Sequence, residues 1–166
     1  MVKYIYVVIL ALFLIPFITL SQSKNSGFIK YKTECLGSEL DGSYTLKAWG
    51  SGRNNSDAVE QAMKNAVYEI IFKGIPDGDK SCSRTGLVID AGTEGKNQEY
   101  FSIFFADGGP YKDFVNLKDE RIRHKIKREK VKREVSITES AVVRVNRFKL
   151  KKKLIVDNII PNYIEP

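Results

Sequence analysis

Apolar and polar side chains alternate in two short stretches that flank a turn sequence. Residues 28–36 and 44–49 both place β-forming side chains at every second position. A period of two residues is typical of a half-buried β-strand. Between them, residues 40–43 read Leu-Asp-Gly-Ser, and an Asp-Gly pair readily adopts the positive φ angles of a tight turn. The pattern therefore predicts an antiparallel hairpin.

The period changes to three and four residues over 56–73, which predicts the main helix of the chain. Asn and Ser side chains at 54–56 offer N-caps, and Gly74 and Pro76 are typical of a helix end. Small side chains recur along this segment and would let the helix lie close against a sheet. Its predicted apolar face comprises Val59, Ala62, Met63, Ala66, Val67, Ile70 and Ile71.

The rest of the chain supplies shorter elements. Residues 99–106 are apolar at most positions, which predicts a central strand buried on both faces. Together the elements predict an α+β domain: a mostly antiparallel sheet, one main helix packed on one face and a short C-terminal helix. The remaining predictions are a polar loop at 76–84, strands at 87–91 and 135–147, and short helices at 111–115 and 148–155.

The N-terminus has a different pattern. Lys3 precedes an apolar stretch of 17 residues at 4–20, and small polar residues follow at 21–23. This order is typical of a secretory signal peptide, with Thr19 and Ser21 small enough for a cut before Gln22. The alternative is an uncleaved anchor in the inner membrane, because 17 residues lie at the lower limit for spanning a bilayer. The sequence thus predicts a signal peptide at 1–21, a flexible segment at 22–27 and a single domain at 28–166.

Charge and cysteine content refine this prediction. The 166-residue chain carries a net charge of +7, which in an exported protein favours an anionic membrane surface or an envelope protein partner over nucleic acid. Two cysteines, Cys35 and Cys82, in an oxidising compartment predict one disulfide. A metal site would need more ligands, since His124 is the only histidine and the chain has no CxxC pair. We therefore expect a periplasmic or outer-membrane-associated protein without a metal or cofactor.

One segment concentrates basic residues. It has two interpretations: a solvated charged face, or an electrostatic patch that binds anionic lipid or an acidic partner. The candidate patch comprises Arg121, Arg123, Lys125, Lys127, Arg128, Lys130, Lys132 and Arg133.

The most distinctive motif is the strand, Gly-x-Gly turn and alanine-lined helix at 44–75. Gly50-x-Gly52 lacks the third glycine of a dinucleotide fingerprint and the Lys-Ser/Thr of a P-loop, so a tight strand-to-helix turn explains both glycines. The unit resembles the N-terminal domain of the flagellar assembly protein FlgT and of related small outer-membrane lipoproteins. The matching positions are Gly50, Asp57, Ala58, Ala62 and Ala66, together with the closing segment 143–154.

This resemblance implies a non-enzymatic envelope protein that scaffolds surface machinery. The chain departs from those relatives in having no lipobox cysteine after its apolar stretch, so a lipid anchor is not implied. The long basic segment also has no counterpart in them.

The sequence predicts no catalytic residues. Ser51 lies between two glycines and Ser102 lies in an apolar segment. Neither serine has a histidine partner or a nucleophile-elbow sequence. We therefore expect a structural or assembly component of a surface or secretion apparatus. One alternative is a small-ligand or lipid-binding module that uses the aromatic residues of 100–114. A second alternative is an uncharacterised hydrolase.

Overall fold

A five-stranded sheet forms the centre of the computed structural model, which describes residues 32–118 and 136–162. Within these residues the strands lie in the order β3-β1-β2-β5-β4. All neighbouring strands are antiparallel except β1 and β3, which are parallel. The strands are β1 (Glu34–Ser38), β2 (Ser43–Gly52), β3 (Asp77–Gly78), β4 (Val115–Leu117) and β5 (Ile137–Asn146).

The helices of the described residues lie between and after these strands. The main helix follows β2, and a short helix follows β5, so the predicted mixed α+β arrangement is confirmed. The helices are α1 (Asn55–Phe72), α2 (Thr93–Lys96), α3 (Gln98–Phe104) and α4 (Arg147–Val156), with a 3-10 turn at Pro110–Phe114.

The predicted hairpin joins β1 to β2. Gly42 has a φ of +77°, and the backbone N–H of Glu39 donates to the carbonyl oxygen of Ser43 at 2.8 Å. The register shifts between Cys35 and Gly37, where β1 contains a bulge. The first part of the predicted strand, at 28–31, lies outside the described residues.

Helix α1 packs on one face of the sheet because its inward residues are small. Ala58, Ala62 and Ala66 are fully buried there, and a Cβ on Gly50 would lie 2.2 Å from the Ala58 carbonyl oxygen. Asn54 caps the helix by accepting the backbone N–H of Asp57 at 2.9 Å. The sequence predicts a strand-to-helix turn at Gly50 and Gly52, but both residues lie in β2, where the lack of a Cβ lets α1 approach the sheet closely. The sheet contributes Tyr44, Leu46, Ala48, Ala141, Val143 and Val145 to this core.

The strand prediction for 99–106 is wrong, since this segment is helix α3. Phe101 and Phe104 are buried, whereas Ser102 and Ile103 face solvent. Phe101 packs on Phe72 of α1, with ring centroids 4.9 Å apart. A short aromatic run does not distinguish a buried strand from a helix, and its packing against α1 selected the helix.

The strand predicted at 87–91 is also wrong. These residues are irregular, and the N–H groups of Leu87 and Val88 donate to the carbonyl oxygens of Ile70 and Ile71 at 3.0 and 2.8 Å. The segment thus occupies carbonyls at the end of α1, which a helix leaves without internal partners.

The predicted disulfide is present. Cys35 and Cys82 are bonded, with their α-carbons 6.1 Å apart and both residues no more than 3% exposed. The bond ties β1 to the loop that follows α1. In that loop the Ser83 N–H donates to the Tyr44 hydroxyl at 3.0 Å, so the loop also contacts β2. The bond therefore fixes the loop that closes this end of the core.

Among residues 32–118 and 136–162, no helix combines the length and the apolar character needed to cross a bilayer. The predicted signal peptide at 1–21 and the flexible segment at 22–27 lie outside these ranges.

Candidate functional site

The basic patch predicted from the sequence lies outside the described residues. This concerns all of its members: Arg121, Arg123, Lys125, Lys127, Arg128, Lys130, Lys132 and Arg133.

A second basic surface lies within the described residues, on α4. The helix begins directly after β5, and Asn146 caps it by accepting the backbone N–H of Lys149 at 2.9 Å. Leu150 and Leu154, four residues apart, are fully buried and anchor α4 to the domain. The opposite stripe, also spaced by four residues, is exposed and comprises Phe148, Lys152 and Val156.

The hairpin turn lies beside the start of α4. Ser43 and Asn146 are paired in the β2–β5 register, and a Cβ on Gly42 would lie 3.5 Å from the Cβ of Phe148. Leu40 of the turn is fully exposed, while Phe148 and Val156 are each 66% exposed. We call this the α4–hairpin surface, and it comprises Leu40, Phe148, Lys149, Lys152 and Val156.

Helix α4 contains five basic residues and no acidic residue. Lys153 binds Asp157 at 2.8 Å, and the Arg147 guanidinium lies 5.8 Å from the Tyr44 ring centroid. Lys149 and Lys152 are exposed and form no ion pair with any residue of 32–118 or 136–162. The surface thus presents two cations next to apolar side chains.

This charge pattern opposes the stability of α4. Arg147 and Lys149 lie in the first turn, where the helix dipole disfavours positive charge by about 0.3–1 kcal/mol per residue. Lys149 also lies four residues before Lys153, and such like-charged pairs destabilise a helix by about 0.2–0.5 kcal/mol. The requirements of the helix itself therefore do not explain Arg147 and Lys149, whereas Lys153 lies in the last turn, where the dipole favours positive charge.

The carboxylates of the hairpin do not neutralise the exposed lysines of α4, because Lys118 and Arg144 already bind these carboxylates. Glu39 contacts Lys118 at 2.6 Å and Arg144 at 2.7 Å, and Asp41 contacts Arg144 at 2.8 Å. The hydrogen bond from Lys118 holds the pKa of Glu39 below its ordinary value. The backbone N–H of Ser43 does the same for the pKa of Asp41. Both groups are therefore ionised at neutral pH and already compensated.

A shallow open depression lies beside this ion-pair cluster. It is lined by Ser38, Glu39, Leu40, Asp41 and Arg144. Within residues 32–118 and 136–162, the Arg144 Nε atom is buried without a hydrogen-bond partner, while its terminal nitrogen is shared by the two carboxylates. Both carboxylates bind cations, and this arrangement stabilises the hairpin.

The aromatic residues of 100–114 pack against one another. Phe104 and Phe114 have ring centroids 6.0 Å apart, and Tyr111 is fully buried. The Tyr111 hydroxyl donates to Glu60 at 2.8 Å, and the Tyr100 hydroxyl donates to Asp157 at 2.6 Å. Burial and these acidic acceptors raise the pKa of both tyrosines. These rings fill the space beside α1 and keep their phenolic protons.

The other chemical candidates make local contacts. The Ser51 hydroxyl lies 2.8 Å from the Thr138 hydroxyl, and the Ser102 hydroxyl donates to the Glu99 carbonyl oxygen. In the part of the chain that the structure describes, no three His, Cys, Asp or Glu side chains come together to hold a metal ion.

Sequence reasoning missed the α4–hairpin surface although a signal was available. A helical projection of 147–156 gives two apolar stripes on opposite faces, and one domain core buries only one of them. The sequence therefore indicates that one apolar stripe of this helix stays exposed, and the structure shows which one.

The chain matches no protein-family model, no curated protein and no solved structure in the comparisons. The resemblance to the FlgT N-terminal domain stays a prediction.

Proposed function

We propose that this chain is a non-enzymatic, exported component of the cell envelope that acts by binding, as a structural or assembly part of a surface or secretion apparatus. The observation that carries the proposal is the buried Cys35–Cys82 disulfide. Such bonds persist in oxidising compartments and are rare in the cytosol. The signal-peptide pattern of 1–21 supports the same compartment.

Binding is supported by the distribution of charge and apolar area. The α4–hairpin surface exposes Phe148 and Leu40. Beside them lie Lys149 and Lys152, which form no ion pair within the described residues. The predicted basic segment at 121–133 would add a second positive region. A protein with these surfaces is suited to an acidic envelope partner or an anionic membrane, in the periplasm or at the outer membrane.

Compartment and processing are tested together on protein made in its native host. We expect the extracytoplasmic fraction to contain a chain that begins at Gln22 and has no thiol available for alkylation at Cys35 or Cys82. An intact chain in the inner-membrane fraction would support the retained-anchor alternative. A reduced chain in the cytosol would contradict export.

Partner binding is tested by cross-linking in the intact envelope and identifying the linked proteins. We expect charge reversal at Arg123, Lys127 and Lys130 to abolish the links while changing the unfolding free energy by no more than about 1 kcal/mol, as is usual for surface sites. Unchanged links would show that 121–133 is only a solvated charged segment. Turnover of an ester or peptide substrate by the purified protein would instead favour the hydrolase alternative.

The second candidate function, a lipid-binding module, is favoured by one observation. The exposed stripe of α4 places Lys152 between Phe148 and Val156, so apolar and basic side chains lie on the same side of the helix. Buried apolar area and attraction to anionic lipid both contribute to binding at a membrane surface. The buried packing of Phe101 and Phe104 gives no comparable support to a ligand groove in the aromatic segment.

A further inference from the structure

We propose that the α4–hairpin surface docks the domain onto an anionic lipid bilayer, with Lys149 and Lys152 at the headgroup phosphates and with Phe148 and Leu40 in the interfacial region. This inference rests on the proposed function, since only an exported chain would meet an envelope membrane from outside the cytoplasm. The partner proposed for this surface is an anionic bilayer.

The apolar side chains of the surface protrude. Leu40 stands at the tip of a turn, and Phe148 lies beside that turn at the start of α4. Val156 continues the stripe two turns further along the helix. A convex row of separate apolar side chains can enter the headgroup region, where an interfacial helix buries its apolar face. The area offered is small, so the expected binding is reversible.

The cations are positioned for headgroups. Lys152 lies between Phe148 and Val156 on the same stripe, and Lys149 follows Phe148 directly. A lysine can place its alkyl chain along apolar surface while its ammonium stays in a polar layer. Insertion of Phe148 would therefore bring both ammonium groups to the depth of the lipid phosphates.

The composition favours a bilayer over a protein partner. The buried centre of a protein interface is depleted in charged residues. Here cations are interleaved with the apolar side chains within two helical turns, so a protein covering Phe148 and Val156 would also have to bury Lys152. At a membrane the same lysine stays hydrated and contacts phosphate. The neighbouring carboxylates Glu39 and Asp41 are held by Lys118 and Arg144 and do not repel the lipid.

The test uses oxidised protein recovered from the extracytoplasmic fraction and sedimented with vesicles. One set of vesicles is phosphatidylcholine alone, and the other contains phosphatidylglycerol. We expect binding to the anionic vesicles only, with affinity falling as salt shortens the Debye length from about 10 Å at 0.1 M to about 3 Å at 1 M. Equal binding to both sets would overturn headgroup recognition.

Two double variants of identical net charge locate the site. Lys149→Glu with Lys152→Glu should weaken binding at least about 25-fold, because each basic residue near an anionic surface contributes a factor of about five. Arg123→Glu with Lys127→Glu serves as the control and should weaken binding less. If the control variant loses as much affinity as the α4 variant, or more, the α4–hairpin surface is not the docking site.

A second pair tests the apolar contact. Phe148→Ser should weaken binding about tenfold, the loss expected when an inserted aromatic side chain is removed from an apolar environment. Ile103→Ser removes a similarly exposed side chain, 61% accessible on α3, and should leave binding unchanged. Equal effects of the two substitutions would contradict insertion at Phe148.

Failure of this inference and failure of the proposed function are distinguishable. An exported, oxidised chain whose α4 variants bind vesicles like the parent protein would overturn the docking site and leave the proposed function standing. A chain that stays reduced in the cytosol would overturn the proposed function, whatever the vesicles show.

Discussion

Helices α1 and α4 have similar N-termini but differ in how their sequences contribute to the fold. Each follows a strand of the sheet, and each is capped by an asparagine, Asn54 or Asn146. Helix α1 carries an acid, Asp57, in its first turn, where the dipole favours negative charge. Helix α4 carries Arg147 and Lys149 there instead. Packing and electrostatics explain the sequence of α1, whereas the two cations in the first turn of α4 oppose the stability of that helix.

The difference separates the part of the molecule that holds the fold from the part available for binding. Two sides of α1 are covered, one by the sheet and the other by aromatic rings of α3 such as Phe101. Only Leu150 and Leu154 of α4 are fully buried. Under the proposed function, the unfavourable charges and exposed apolar groups of α4 serve contact with a partner outside the chain.

The largest expected effect concerns the approach of α1 to β2. Gly50→Ala would place a Cβ 2.2 Å from the Ala58 carbonyl oxygen and 2.3 Å from the Ala62 nitrogen, both backbone atoms that cannot rotate away. We expect a loss of more than about 3 kcal/mol, beyond the usual cost of overpacking. Gly95→Ala is the control, since its Cβ would meet nothing within 4 Å. Urea unfolding measures both, and similar midpoints would contradict the close packing.

The disulfide has an effect of comparable size. Cys35→Ala with Cys82→Ala removes a bond across 47 positions, for which chain entropy predicts a loss of about 4 kcal/mol. Amide exchange should accelerate most in the loop that closes the end of α1, at Leu87 and Val88. An equal acceleration of exchange throughout α4 would show that the bond stabilises the whole domain uniformly. The bond would then not distinguish the end of α1 from α4.

A smaller effect comes from Glu60 on α1. Hydrogen bonds from Lys112 and Tyr111 hold its pKa below the ordinary value of 4.5. A carboxylate whose pKa is lowered by folding stabilises the protein above the unfolded pKa, and this contribution is lost as pH falls through the folded pKa. We expect Glu60→Gln to flatten the decline in unfolding free energy below pH 4.5. Glu99→Gln on α3 is the control, and matching pH profiles for both variants would contradict the role of Glu60.

The smallest effect has the opposite sign. Lys149→Glu places a negative charge in the first turn of α4, four residues before Lys153. We expect a gain of about 0.5–1 kcal/mol in unfolding free energy from the dipole and the new pair. Lys152→Gln, nearer the helix centre, should change stability less. A loss on Lys149→Glu would mean that the cations of α4 have a structural role.

The sequence predicted the hairpin and α1 because both are specified locally. An Asp-Gly turn and a capped, periodic helix need no distant partner to be recognised. Helix α3 was mistaken for a strand because its aromatic residues are apolar in either conformation, and contact with Phe72 decides between them. Strands β3 and β4 were missed because two or three residues become a strand only beside an existing one.

The site was less predictable than the fold. The density of basic residues makes 121–133 a candidate site from the sequence alone. The α4–hairpin surface instead depends on where the fold places α4 and the hairpin turn. Its recognition requires knowing that Leu150 and Leu154 face the core and that the turn of Leu40 lies beside Phe148. Neither fact follows from composition.

The depth of Phe148 in a bilayer is the most direct test of docking through α4 and the hairpin. The measurement compares Phe148→Trp with Ile103→Trp, each added to a protein whose only other tryptophan is Trp49. Both variants are mixed with anionic vesicles that contain brominated acyl chains, and quenching of the tryptophan emission is recorded. We expect strong quenching for Phe148→Trp and only the background signal for Ile103→Trp. Equal quenching in the two variants, or none in either, would contradict docking through α4 and the hairpin.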